Sequence, residues 1–162
     1  MTTGLPDFFT YNRWANLRLL DQCASLSDAQ LDAAPVQGTF GSVREILMHL
    51  FSSEESYART LTGADPTPRL KDFTQFPGFD ELRRRATLSG DALIRFAEQP
   101  GDLRAILHLD GGTYDAPVVV VVMQAIDHGI DHRSQIATLL TQQGITPLDL
   151  DSWAYNDATL AQ

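Results

Sequence analysis

Along four stretches of this chain the apolar residues recur every three to four positions, and Gly, Pro and Ser punctuate the gaps between them. That period is the signature of an amphipathic helix. The first stretch covers about 7–24, opened by Pro6 and Asp7, with Phe8, Tyr11, Ala15 and Leu19 in register alongside Trp14, Leu17 and Leu20. Ser27 suits the cap of a short helical turn that ends at Pro35, and residues 35–41 read as a loop. The second long helix begins at Ser42-Val43-Arg44-Glu45, a hydroxyl and a carboxylate at capping-box spacing, and stops at Gly63. Its inward arc is Val43, Ile46, Leu50, Tyr57 and Leu61.

Residues 63–78, with three prolines and two glycines, predict a surface connection able to cross the bundle or cover a site. A third helix spans about 79–99 and ends at Pro100-Gly101. Its Arg83-Arg84-Arg85 run reads as a solvated face. Residues 104–114, centred on Asp110-Gly111-Gly112, predict a small hairpin or extended loop that contains His108. Asp115 and Pro117 suit the start of the fourth helix. Here local signals conflict. Val118–Val122 is a run of five β-branched residues that favours a strand, whereas the 3.6-residue pattern continuing to Leu140 favours a helix stopped by Gly144. We read it as helix. The tail is expected to pack on the bundle through Leu148, Leu150, Trp153 and Tyr155. The expectation is an all-α four-helix bundle, with a possible small hairpin before its last helix, in a single domain spanning 1–162.

The totals narrow the function classes. A net charge of −9 argues against nucleic-acid binding, which needs Lys and Arg on phosphates, and against docking on anionic membranes. No segment has the roughly 20 apolar residues of a membrane span, and the N-terminus lacks a basic signal-peptide region. One cysteine, Cys23, forms no intramolecular disulfide and reads as a buried structural thiol. The expected location is the cytoplasm.

The candidate chemistry lies in the fourth helix. His128 and His132 are four residues apart, so on a helix they stand one turn apart on one face. A helical wheel sets both just inside the edge of the apolar arc, with Asp127 and Asp131 opposite and solvated. Two inward imidazoles at this spacing suit a shared metal ion. A third histidine, His49, flanks the apolar arc of the second helix, where it can line a cleft between helices. Glu54 and Arg133 both fall on apolar arcs. A buried charge without a partner is costly, so the two are expected to pair. Tyr57, Glu54 and Gln135 are candidates for shaping the site. No residue stands out as a general base, and no Ser-His-Asp or Cys-His arrangement is evident.

Three segments carry a resemblance: Asn12-Arg13-Trp14-Ala15-Asn16, His49-Leu50-Phe51-Ser52-Ser53-Glu54, and His128-Gly129-x-x-His132-Arg133-x-Gln135-Ile136. Together they resemble the DinB/YfiT-like metalloprotein family over about residues 7–143. Ser134, where that family more often has glycine, and Asp131, where it often has histidine, depart from the pattern. The resemblance implies a four-helix bundle, a homodimer, and a divalent metal, zinc or nickel, on His49, His128 and His132.

It does not fix the reaction. Some relatives resemble thiol-S-transferases that use low-molecular-weight thiols such as bacillithiol or mycothiol, and others are described as metal-dependent hydrolases. The expected small-molecule partner is therefore a thiol or an electrophilic substrate. Three histidines without an obvious fourth ligand favour a metal-dependent enzyme. The alternatives are a non-catalytic metal-binding or stress-response protein, and a plain interaction bundle.

Overall fold

A computed structural model of the chain describes residues 4–160. Six α-helices lie among the described residues: α1 Leu5–Cys23, α2 Asp28–Leu31, α3 Val43–Thr62, α4 Phe79–Glu98, α5 Val118–Gln142 and α6 Ser152–Leu160. A two-stranded antiparallel hairpin, β1 Ile106–Leu109 and β2 Tyr114–Pro117, precedes α5. Helices α1, α3, α4 and α5 form the bundle. Both α1 and α3 pack against α4 and α5, so α1 and α3 take diagonal corners.

The local signals explain where these helices start and stop. Ser42 and Glu45 form the capping box of α3, and Ser27 with Gln30 forms one at α2. Gly63, left-handed at φ 74°, closes α3. The hairpin turn needs positive φ at Asp110, Gly111 and Gly112 in succession, which accounts for the two glycines there.

The valine run is helical, and tertiary structure supplies the reason. The Val118 and Val119 amides donate to the Ala105 and Leu103 carbonyls at 2.9 Å, so the chain just before the hairpin satisfies the first donors of α5. Val118 and Val122 then bury against Phe9, Ala58 and Leu93. Asp115 is not a helix cap. It lies in β2 opposite His108, because strand pairing extends to Pro117.

The core has two apolar parts. One gathers residues such as Leu19, Ile46, Leu82 and Leu140. The other gathers Phe9, Ala58, Leu93 and Val122. Between them lies a buried polar layer to which all four bundle helices contribute. Glu54 Oε2 accepts from Asn12 Nδ2 at 3.1 Å and Asn16 Nδ2 at 2.6 Å. Glu54 Oε1 accepts from the Ser89 hydroxyl at 2.6 Å. Arg133 Nη1 donates to Asn12 Oδ1 at 2.7 Å and Asn16 Oδ1 at 2.6 Å. The Arg133 guanidinium carbon lies 5.8 Å from the centre of the Tyr11 ring.

The expected Glu54–Arg133 pair is thus corrected in one respect. The two charges are joined through the amides of Asn12 and Asn16, and no direct ion pair forms between them among the described residues. Helices α3 and α5 are neighbours, but Asn12 and Asn16 of α1 reach across the core and stand between the two charges. Asparagine suits the position because it accepts from the cation and donates to the anion.

Gly129 makes this layer possible. A Cβ there would sit 2.7 Å from Asn12 Oδ1 and 2.9 Å from Arg133 Nη1. Gly129→Ala is expected to lose about 1–3 kcal/mol in urea denaturation, since overpacking outweighs the ~1 kcal/mol helix-propensity gain. A neutral or stabilising result would show that the layer yields freely.

Three further expectations change. Arg85 is not solvated. It is 3 % exposed and pairs with Glu55 and Glu81, each at 2.6 Å. The same Glu55 accepts from the Leu70 amide, so this pair also anchors the 63–78 connection. In α1 it is Phe9 that enters the core, while Phe8 is 56 % exposed. In the tail, Tyr155 packs edge-on against Trp14 and Tyr11, but Trp153 is 77 % exposed. Cys23 is buried as expected, and burial pushes its thiol up to about 12.

Candidate metal centre

The polar layer fixes the facing edges of α3 and α5, and His49, His128 and His132 meet there. His128 Nε2 lies 3.1 Å from His49 Nε2 and 3.2 Å from His132 Nε2. One nitrogen from each residue lies within 4.8 Å of the others, an arrangement that could hold a metal ion. Nitrogens bound tetrahedrally at about 2.0–2.1 Å from zinc stand about 3.3–3.4 Å apart, close to the two short separations here. Three imidazoles also suit a divalent first-row ion chemically. Among the described residues no fourth His, Cys, Asp or Glu joins the group.

The surroundings favour the uncharged form of His128 and His49. Burial, then the neighbouring His132 and His49, lower His128 to about 4, and Asp131 opposes this only weakly. His49 is lowered by burial first and by His132 second. Neutral imidazole is the form that ligates metal. His132 is buried, and its Nδ1 has no hydrogen-bond partner among the described residues.

A pH dependence follows for the metal-free protein. The folded pKa of His128 lies below the usual 6.5, so between the two values the unfolded chain binds more protons. Its contribution is present above about 6.5 and is lost as pH falls toward about 4. Urea midpoints measured across that window are expected to fall with acid, and His128→Gln is expected to flatten the slope. An unchanged slope in the variant would assign the effect elsewhere.

Phe40 joins the site without any mark in the sequence pattern. Its ring stacks on His49 with centroids 4.1 Å apart and an interplanar angle of 16°, and it meets His132 edge-on at 5.8 Å. Its amide donates to Gln135 Oε1 at 2.7 Å, while Gln135 Nε2 donates to Asp131 at 2.8 Å. Gln135 therefore shapes the site by holding the loop that carries Phe40. An aromatic residue in a loop that contacts a helix more than 90 residues away leaves no periodic signal. Tyr57 lies edge-on to His128 at 5.6 Å. Glu54 sits in the core layer, not among the imidazoles. Asp127 and Asp131 are exposed. His108 stands apart from the cluster and bonds Asp115 across the hairpin at 2.7 Å.

A bundle that brings histidines from two helices to one edge defines the class, and comparison with known proteins defines the family. The chain belongs to the DinB family, whose profile matches residues 1–162. It is similar to Protein DinB of Bacillus subtilis (strain 168), with 22 % identity over 156 residues, 91 % of this chain and 90 % of the relative. Its fold is similar to the crystal structure of a DinB-like protein from Bacillus cereus ATCC 10987, with a TM-score of 0.67 and 21 % identity. That match covers 92 % of this chain and 99 % of the other. No described helix is long and apolar enough to cross a membrane.

Proposed function

We propose that His49, His128 and His132 hold one divalent metal ion, zinc or nickel, and that the protein is a metal-dependent enzyme. The reaction we favour is transfer of a low-molecular-weight thiol to an electrophile, with hydrolysis as the second reading. The observation that supports this most is the convergence of three imidazole nitrogens with no fourth His, Cys, Asp or Glu beside them among the described residues. Structural zinc sites are closed by four protein ligands, whereas catalytic ones keep a position for substrate. Such an ion supplies Lewis acidity, lowering the pKa of a thiol or a water molecule brought to it.

The chain's own residues do the rest. Burial favours the unprotonated form of His128 and His49, the form that ligates metal. Phe40 shields one face of His49, and Tyr57 borders His128. The test is metal content of the untagged protein by mass spectrometry, then turnover of thiols with an epoxide or alkyl halide. About one ion per chain with thiol consumption supports the transferase reading. Metal with activity only on hydrolytic substrates favours the second. No metal after reconstitution with zinc or nickel sinks both.

A further inference from the structure

The groove between α3 and α5 does not end at the histidines. Along α3, Ser56 and Thr60 follow His49 at seven and eleven residues, on the same face. Along α5, Gln124 and Val121 precede His128 on the matching stripe. Between these stripes and the hairpin lies a cavity of about 730 Å³, within the range of small-molecule sites. Tyr57 belongs to both places. It lines the cavity and lies edge-on to His128. The cavity is mixed in character, with Leu107, Ala116, Val120 and Val121 supplying apolar wall.

Arg59 sits on the wall as well, ten residues or ~15 Å of helix beyond His49. It is only partly exposed, and its guanidinium makes no contact ion pair or hydrogen bond with any described residue; the nearby Asp65 carboxylate, which its charge helps to hold down, is taken by Arg69 through two bonds of 2.8 and 2.7 Å. In a chain with 21 acidic and 12 basic residues that is informative. Arg44, Arg69, Arg83, Arg84 and Arg85 all find carboxylates. Arg18, Arg95 and Arg104 make no such pair either, but they are exposed. Asp110, the carboxylate on the lining, is exposed at the hairpin turn, and His108 is occupied by Asp115. A guanidinium with a free donor fork, facing a partly apolar cavity, is built to receive a carboxylate.

We propose that this cavity is the substrate cleft of the histidine site and selects a small molecule with an apolar middle and a carboxylate end, the carboxylate held by Arg59 and the reactive end directed past Tyr57 toward the three histidines. The assignment rests on the metal-enzyme reading of that cluster.

A matched pair of probes tests it. 6-Mercaptohexanoate and 6-mercaptohexan-1-ol share a thiol and an apolar stem and differ only in the charged end. In calorimetric titration of the zinc-loaded protein, the acid is expected to bind about 10–100-fold tighter than the alcohol, the range of a hydrogen bond to a charged group. Arg59→Gln is expected to erase the preference while leaving the alcohol's affinity unchanged, and Arg59→Lys to restore part of it. Equal affinities in the parent, no effect of Arg59→Gln, or no binding of the acid overturns the proposal.

Two further arms separate this outcome from the fate of the metal reading. Hexanoate, which has no thiol, should bind the metal-free protein in an Arg59-dependent way. Thiolate-to-metal absorption in the cobalt-substituted protein reports on the histidines alone. A cobalt signal without a carboxylate preference overturns the cleft and spares the metal site. Arg59-dependent hexanoate binding without a cobalt signal does the reverse.

Discussion

Glu54→Ala is expected to cost about 3–5 kcal/mol, a large share of the stability of a domain this size. The side chain is 2 % exposed and accepts from Asn12, Asn16 and Ser89. Burial pushes its carboxyl upward, while the Ser89 bond, the Arg133 charge and the two asparagine amides pull it down. Truncation leaves the asparagine amides without an acceptor and Arg133 without a counter-charge. Ser89 is affected less, because its hydroxyl also reaches the Arg85 carbonyl at 3.0 Å.

The comparison that isolates the effect is a double-mutant cycle with Arg133→Met. Removing both charges leaves no uncompensated ion, so the double variant should be markedly more stable than the two losses summed. Urea denaturation of the four proteins checks this. A Glu54→Ala loss under about 1 kcal/mol, or additive losses, would mean that water reaches the layer and that the charges are independent.

Zinc is expected to stabilise the full chain, and His128→Ala to abolish that response. An ion that binds only the folded state adds about 2.7 kcal/mol at 100 times its Kd and about 4.1 at 1,000 times. For a chain of this length that is about 5–15 °C in Tm. A chelator should return the parent to its metal-free Tm. The variant loses one of three converging nitrogens, and even outer-sphere partners of metal ligands are worth about 10–100-fold in affinity. Its metal-free stability should stay within about 1 kcal/mol of the parent, because His128 is only partly buried and its Nε2 contacts just the other two histidines. Equal zinc shifts in parent and variant would place the ion elsewhere.

Much of this architecture is local and therefore legible in order. Ser42 with Glu45, Gly63, Pro100-Gly101 and Gly144 bound their helices because capping and breaking act within a few residues. His128 and His132 face one way because helical geometry alone dictates it. The errors fall where a neighbour in space overrules a neighbour in sequence. Arg85 looks like part of a basic run until Glu55 of another helix claims it. Phe8 and Phe9 are adjacent and equally apolar, and only packing decides which turns inward. The five valines favour a strand by themselves, yet carbonyls at Leu103 and Ala105 and the apolar wall near Phe9 hold them as helix.

Four amphipathic helices, an acidic balance of charge and three histidines on faces able to converge can all be read along the chain, because periodicity, charge and helix spacing are properties of short stretches. Packing of the helices sets α1 and α3 at diagonal corners, so that Asn12 and Asn16 reach across the core to bridge Glu54 and Arg133. It also brings Phe40 over His49 and leaves Arg59 lining a cavity without a contact ion pair among the described residues. Those contacts join residues some 38 to 121 positions apart for the bridge, and nine for Phe40 and His49, across a loop whose path is fixed by Gln135. No local pattern encodes such contacts, because each depends on where the packed helices leave space and which polar groups must share it.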